Sequence, residues 1–144
     1  MKQGPATRLT IIVADDEPDT VTTLAHLLRD EGYEVVEATK GPEVIRLAKQ
    51  SKPDALILDI DMPGMSGYTV AQAIQEIYPH DTPLLICISG KWVGQTDRML
   101  ADLAGFNHFH QKPCDPQILL RLLEPLAQIR KAIAGPESAV VPKP

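Results

Sequence analysis

The stretch ALILDIDMPGMSG, residues 55–67, joins a run of apolar residues to two aspartates and a loop containing proline and glycine. Four apolar residues in succession, Ala55 to Leu58, are typical of a strand that is covered on both faces of a parallel sheet. Pro63 and Gly64 favour a loop soon after that strand. Asp59 is therefore expected at the carboxyl edge of a sheet, where open α/β folds bind ligands. A purely structural aspartate that caps the loop is the alternative.

Outside this stretch, short apolar or β-branched runs alternate with segments of helical periodicity. Strands are predicted at residues 9–14, 33–38, 54–59, 84–89 and 106–111, and the helices that follow them begin near Pro18, Gly41, Ser66, Gln95 and Pro116. Five strand–helix pairs predict an α/β fold, a doubly wound five-stranded parallel sheet in a three-layer sandwich. The domain is expected to span 8–133, followed by a disordered tail at 134–144 that lacks periodicity.

Composition and charge exclude several classes of function. The 144 residues carry a net charge of −5 without a run of lysine or arginine, which argues against a nucleic-acid or anionic-membrane surface. The longest apolar run, Leu84 to Ile88, is far shorter than the roughly 20 residues that span a bilayer. The amino end lacks an apolar signal segment, so a cytoplasmic protein is expected. Cys87 and Cys114 have no metal or redox spacing and are interpreted as packing residues.

Chemically informative side chains follow four of the five predicted strands. They are Asp15 and Asp16, Asp59, Ser89 and Lys112, and parallel strands place them at one carboxyl edge. Two carboxylates about 4 Å apart repel by roughly 4 kcal/mol at an effective dielectric near 20, which favours a cation between them. Mg²⁺ prefers such oxygen ligands together with phosphate. A nearby hydroxyl and lysine suit phosphoryl transfer, because that reaction depends on positioning and charge neutralisation.

Four motifs in this order resemble the receiver domains of bacterial two-component response regulators, across about residues 8–130. They are Asp15-Asp16-Glu17-Pro18, Leu58 to Gly67, Ser89-Gly90 and Lys112-Pro113. The resemblance implies a flavodoxin-like sheet of order 2-1-3-4-5 and a cis peptide bond before Pro113. It also implies that Asp59 accepts a phosphoryl group from a histidine kinase or a histidine phosphotransfer protein.

The same resemblance assigns further roles. Asp16, Asp59 and the backbone carbonyl of Asp61 would ligate Mg²⁺, and Asp15 would act largely through water. Modification of Asp59 would then be sensed by Ser89, which binds a phosphoryl oxygen.

A switch to a downstream protein partner is implied at the face formed by the fourth helix, fifth strand and fifth helix. Lys112 would pair with the phosphoryl charge, and Phe109 would fill the space that Ser89 leaves. Phe109 occupies a position where the family more often has tyrosine, so it has no hydroxyl to report outward. Asp61 and Lys91 lie where similar receivers tune the lifetime of the phosphorylated state, and their pairing predicts a long lifetime. Trp92 is expected to report the switch by fluorescence.

Two other classes stay open at this point. Asp59-x-Asp61 after an apolar strand also resembles the haloacid-dehalogenase type of phosphohydrolase, which would make the protein an enzyme. That class usually carries its aspartate pair on the first strand. Here the Asp59-x-Asp61 pair follows the third predicted strand, and Asp15-Asp16 precedes the pair. An interaction module with the receiver shape that is never phosphorylated is the other possibility. His108 and His110 could hold a metal, but exposure on an edge strand is the default interpretation.

Overall fold

A computed structural model describes residues 8–90 and 95–140, and at 95–96 and 134–140 it describes the backbone alone. Lys91 and Trp92 therefore lie outside the described residues. The elements in chain order are β1 Thr10–Ala14, α1 Pro18–Asp30, β2 Glu34–Ala38, α2 Gly41–Ser51, β3 Ala55–Asp59, α3 Gly67–Ile77, β4 Leu84–Ser89, α4 Gln95–Ala104, β5 His108–Gln111 and α5 Pro116–Val140.

The five strands form one parallel sheet of order β2-β1-β3-β4-β5, which confirms the predicted fold class. All five residues of β3 are buried, as expected for a strand with neighbours on both sides and helices on both faces. In the register of the sheet, Asp59 lies opposite Ile88 of β4, and Ala14 of β1 lies opposite Leu58. The ends of β1, β3 and β4 therefore meet at one edge.

Alternate residues of each strand supply two cores, because successive side chains point to opposite faces of a sheet. Leu56 and Leu58 pack in the cluster that includes residues of α2, α3 and α4. Ala55 and Ile57 pack in the cluster that includes residues of α1 and α5. Burying a large apolar side chain contributes about 1.5–3 kcal/mol, so the two cores hold β3 rigidly.

Local signals fix the helix ends near the sheet edge. Pro18 lies at the start of α1, where its missing N–H has no helical partner to lose. Ser66 caps α3 by accepting a hydrogen bond from the backbone N–H of Thr69 at 3.3 Å. Asp115 Oδ1 accepts from the backbone N–H of Gln117 at 2.9 Å at the start of α5. The loops before α1, α3 and α5 thus lead into their helices at defined residues.

The last helix differs from the sequence prediction. α5 continues to Val140, so residues 134–140 extend the helix where a disordered tail was expected from residue 134. Ala132, Ala134 and Ala139 favour a helix in this segment, whereas Gly135 and Pro136 oppose one, since an interior proline lacks the N–H for a helical hydrogen bond. Residues 141–144 lie outside the described part of the chain. Within the described ranges, none of the helices has the length and apolar character needed to cross a bilayer.

Candidate functional site

Three carboxylates converge at the carboxyl edge of the sheet, as the sequence predicted. Asp15 and Asp16 follow β1, Asp59 ends β3, and one oxygen from each lies within 4.8 Å of the other two. Asp59 and Asp15 are 4 % and 5 % exposed, whereas Asp16 faces solvent. The cluster therefore combines two nearly buried carboxylates with a third at the protein surface.

Burial dominates the electrostatics of Asp59. Desolvation of the carboxylate raises the pKa of Asp59 to about 6. The backbone N–H of Asp61 donates to Asp59 Oδ1 at 3.2 Å and opposes this shift, and the nearby charge of Asp15 adds to it. The pKa of Asp16 is also raised, chiefly by its hydrogen bond with Asp15 and then by desolvation. The folded chain therefore holds these carboxylates in an environment that disfavours their charge.

Lys112 is the cation that the structure places against the cluster. Its Nζ lies 2.6 Å from Asp15 Oδ2 and 3.4 Å from Asp59 Oδ2. Burial works to lower the pKa of Lys112, but its contacts with Asp15 and Asp59 together raise it, so the ammonium stays charged. Three carboxylates against one ammonium leave an excess of two negative charges among these described groups.

Backbone contacts explain how Lys112 reaches the cluster. Its N–H donates to the carbonyl oxygen of Ser89 at 2.7 Å, which ties the end of β5 to the end of β4. The Lys112–Pro113 peptide bond is cis, as the resemblance implied. Ser89 itself is 4 % exposed at the end of β4, so a buried hydroxyl stands at the same edge as the carboxylates.

The two carboxylate oxygens of Asp15 are both engaged. Oδ1 accepts the backbone N–H of Glu17 at 3.0 Å, and Oδ2 contacts Lys112. Asp16 is the more accessible of the two neighbouring aspartates. That Asp16 and Asp59 contact a cation directly while Asp15 acts through water stays a prediction.

Sequence reasoning missed one residue that shapes the site. A Cβ added at Gly67 would lie 2.5 Å from the backbone oxygen of Asp59 and 2.9 Å from Cα of Ile60. The N–H of Gly67 donates to the carbonyl oxygen of Ile60 at 2.8 Å. Only glycine allows the start of α3 to approach the end of β3 this closely. Its position directly after the capping serine was the signal available in the sequence.

The predicted switch residue Phe109 and the predicted tuning residue Asp61 differ in their burial. Phe109 is half-buried and packs against the core that α3 and α4 cover, with the Arg98 guanidinium 5.5 Å from its ring centroid. Asp61 is exposed beside the site. Lys91, its predicted partner, lies outside the described residues.

The rings of His108 and His110 lie side by side with centroids 6.5 Å apart. Among the described residues, the group of three or more side chains that could together hold a metal ion is Asp15, Asp16 and Asp59; the two histidines are not part of it.

An apolar cavity of about 640 Å³ adjoins the carboxylates and was not predicted. It lies between α1 and the segment that connects β5 to α5. Its lining combines the charged residues of the site with apolar and hydroxyl side chains. The residues are Val13, Ala14, Asp15, Asp19, Thr20, Thr23, Leu24, Leu27, Ile57, Leu58, Asp59, Ile88, Lys112, Pro113, Cys114, Pro116 and Leu119.

Comparisons with known proteins agree with this geometry. The family profile described as the response regulator receiver domain matches residues 11–124. An uncharacterised 14.6 kDa protein of Leptolyngbya boryana is 33 % identical over 117 residues, covering 81 % of this chain and 88 % of that protein. The transcriptional regulatory protein PrrA of Mycobacterium tuberculosis is 30 % identical over 131 residues, covering 91 % of this chain and 55 % of PrrA. This chain thus spans about half the length of PrrA.

Solved structures show the same fold. The N-terminal domain of an uncharacterised protein from Wolinella succinogenes superposes with a TM-score of 0.78 at 29 % identity, covering 86 % of this chain and 98 % of that domain. With the matching profile, the sheet order and the acidic cluster in place, the chain belongs to the response regulator receiver domain family of two-component systems. Receiver domains are signalling modules rather than turnover enzymes, and they interact with kinases.

Proposed function

We propose that this protein is the phosphoacceptor of a two-component phosphorelay and that Asp59 is the residue phosphorylated. The observation that carries the proposal is the position of Asp59. Its carboxylate is 4 % exposed, ends the central strand of the sheet and lies beside Asp15, Asp16 and Lys112. A rigid, oriented carboxylate beside an acidic entrance suits attack on one phosphorus atom.

The surrounding groups supply charge and orientation. Mg²⁺, held by Asp16, Asp59 and the carbonyl of Asp61, would neutralise the carboxylates and the incoming phosphoryl oxygens. The excess of two negative charges at the cluster fits a divalent cation. Lys112, already 3.4 Å from Asp59, pairs with the phosphoryl charge after transfer. Ser89, buried at the end of β4, donates its hydroxyl to a phosphoryl oxygen.

The signal is read on the face formed by α4, β5 and α5. Phosphorylation adds about −1.5 to −2 charges at Asp59, which draws Ser89 and Lys112 towards the phosphoryl group. Phe109, half-buried at the edge of the core, moves into the space that Ser89 vacates. On α4 the large apolar side chains Met99, Leu100 and Leu103 are exposed, and this surface contacts a downstream protein partner.

The phosphoryl donor is a histidine kinase or a histidine phosphotransfer protein, and the reaction takes place in the cytoplasm. Neither a nucleic acid nor a membrane is a partner in this proposal. Asp61 and Lys91 restrict the water that hydrolyses phosphorylated Asp59, which lengthens the lifetime of the signal.

Incubation with acetyl phosphate and Mg²⁺, followed by intact mass measurement, tests the proposal. One base-labile phosphoryl adduct is expected on the wild-type protein and none on Asp59→Ala. Asp102→Ala, which removes an exposed carboxylate on α4, is the matched control and should keep the adduct. Continuous turnover of small phosphate esters would instead support the haloacid-dehalogenase type of phosphohydrolase. Failure to label the wild-type protein with any donor would support an unphosphorylated interaction module.

A further inference from the structure

The cavity beside the carboxylate cluster has a charged end and an apolar end. Asp59 and Lys112 form part of the wall at the charged end. Leu24 and Leu27 of α1 and Leu119 of α5 contribute to the apolar wall. One continuous space therefore leads from the proposed phosphoacceptor to a hydrocarbon surface.

The apolar end is incompletely covered in the folded chain. Leu27 is 37 % exposed and Leu24 is half-buried, whereas Leu119 is 1 % exposed at the inner wall. A ligand that covers Leu27 and Leu24 removes apolar surface from water and gains affinity in proportion to the area covered. The volume of about 640 Å³ falls within the range of small-molecule sites.

We propose, building on the phosphoacceptor function above, that this cavity binds the hydrocarbon chain of an apolar acyl phosphate, which then phosphorylates Asp59. A donor must place its phosphorus beside Asp59, so the rest of the donor extends away from the charged end of the cavity. The single methyl group of acetyl phosphate covers little of the apolar wall. A longer hydrocarbon chain covers more of the apolar wall to which Leu24 and Leu27 contribute.

The charged residues of the cavity wall also favour a donor that has an uncharged hydrocarbon chain. Lys112 attracts the phosphate group at one end. Asp19, an exposed carboxylate in the lining, adds negative charge to the wall and disfavours a donor with a second negative charge. The favoured donor has one anionic phosphate and an uncharged hydrocarbon chain.

The proposed phosphoryl transfer needs neither an oxidant nor a reductant. A carboxylate oxygen of Asp59 forms a bond to the phosphorus of the acyl phosphate. The bond between that phosphorus and the acyl oxygen breaks, and the fatty carboxylate leaves with the bonding electron pair. Asp59 then carries the phosphoryl group as a mixed anhydride.

Initial rates of Asp59 phosphorylation with three donors test the inference. Phosphoramidate has no acyl group, and acetyl and hexanoyl phosphate have leaving groups of nearly equal basicity. Each fully buried methylene contributes about a factor of four, so partial burial of the four additional methylenes should make hexanoyl phosphate about tenfold faster at subsaturating concentration. Rates are followed by intact mass in the presence of Mg²⁺.

Two matched variants locate the effect. Leu27→Gln places a polar group on the apolar wall and should bring the ratio of hexanoyl to acetyl rates towards one. Leu47→Gln changes a half-buried leucine on α2, on the other face of the sheet and outside the cavity lining, so the ratio should stay near the wild-type value. The phosphoramidate rate, measured on each variant, corrects for any general change in the reactivity of Asp59.

The outcomes separate the two proposals. Equal rates with hexanoyl and acetyl phosphate, or an unchanged ratio in Leu27→Gln, would overturn the acyl site while labelling by phosphoramidate still supported the phosphoacceptor function. No adduct from any of the three donors would overturn the phosphoacceptor function, and the acyl site with it.

Discussion

At the scale of single residues, the site combines buried negative charge with too little positive charge to balance it. Asp59 and Asp15 are almost fully buried, and Lys112 is the cation placed between them. The fold holds these groups because the cores on both faces of β3 outweigh their mutual repulsion. Removing a charge from this cluster should therefore stabilise the folded protein.

Asp59→Asn should raise the free energy of unfolding at pH 7.5 in EDTA by about 1–3 kcal/mol. The pKa of Asp59 is about 6 in the folded protein, against 3.8 as the ordinary value. The folded state binds more protons between these values, so its stability falls as pH rises through that window. The gain in Asp59→Asn should be largest above pH 6 and should fade below pH 4. Denaturant unfolding from pH 3.5 to 7.5 measures it.

Asp102→Asn is the control for that series, because its carboxylate is exposed on α4. Its free energy of unfolding should stay within about 0.5 kcal/mol of wild type. A gain in Asp59→Asn that is absent, or that does not vary with pH, would show that burial does not disfavour the Asp59 carboxylate.

Mg²⁺ should stabilise the wild-type protein by relieving the same repulsion. At ten times its dissociation constant, a ligand that binds only the folded state adds about 1.4 kcal/mol. Asp16→Asn removes a proposed ligand and should shift the Mg²⁺ dependence of the melting temperature to higher concentration. Asp102→Asn should respond like wild type. If wild type and Asp16→Asn respond identically, Asp16 is not a ligand.

At the scale of elements, the strands and helices were predictable because each combines a strong local pattern with a clear boundary. The apolar run of β3 and the proline that opens α1 are both local signals. The extension of α5 past residue 133 was not predictable from local sequence signals, because glycine and proline, here Gly135 and Pro136, usually terminate helices. The apolar cavity was also missed, since it depends on the separation between α1 and the β5–α5 connection, which no local pattern encodes.

The close packing of the start of α3 against the end of β3 should make Gly67 intolerant of a larger side chain. Gly67→Ala places a methyl group against the backbone of Asp59 and Ile60, so the junction has to shift. We expect a loss of about 1–3 kcal/mol in the free energy of unfolding, as for other overpacked sites, together with slower phosphorylation of Asp59. Urea unfolding and the acetyl phosphate assay measure the two effects.

Gly90→Ala provides the comparison within the same edge of the sheet. Its added Cβ would lie 3.5 Å from Cδ of Lys112, which is an ordinary contact with a flexible side chain. Its stability should be close to wild type. Equal stability of Gly67→Ala and wild type would mean that the β3–α3 junction is not as tightly packed as described.

At the scale of the whole molecule, the site and the proposed output surface lie on connected elements. β4 ends at Ser89, α4 begins at Gln95, and β5 carries Phe109 against the core beneath α4. The proposed switch uses these elements to pass a change at Asp59 to α4 through Ser89 and Phe109. The segment that links β4 to α4 includes Trp92, which lies outside the described residues.

Beryllofluoride, a mimic of the phosphoryl group, should change the fluorescence of Trp92 and the amide hydrogen exchange of α4 in the presence of Mg²⁺. The mimic needs the Asp59 carboxylate, so Asp59→Asn should show neither change. Unchanged fluorescence together with unchanged exchange across α4 in the wild-type protein would contradict a switch on the α4–β5–α5 face.

The central claim is that phosphate becomes attached to one carboxylate, that of Asp59. Borohydride reduces an aspartyl phosphate to homoserine, so treating the phosphorylated protein and sequencing its peptides by mass spectrometry identifies the modified residue. Homoserine is expected at position 59 in the wild-type protein, with aspartate retained at 15, 16 and 61. Homoserine at any of those three positions, or a phosphoryl group that survives on a serine or histidine, would contradict it.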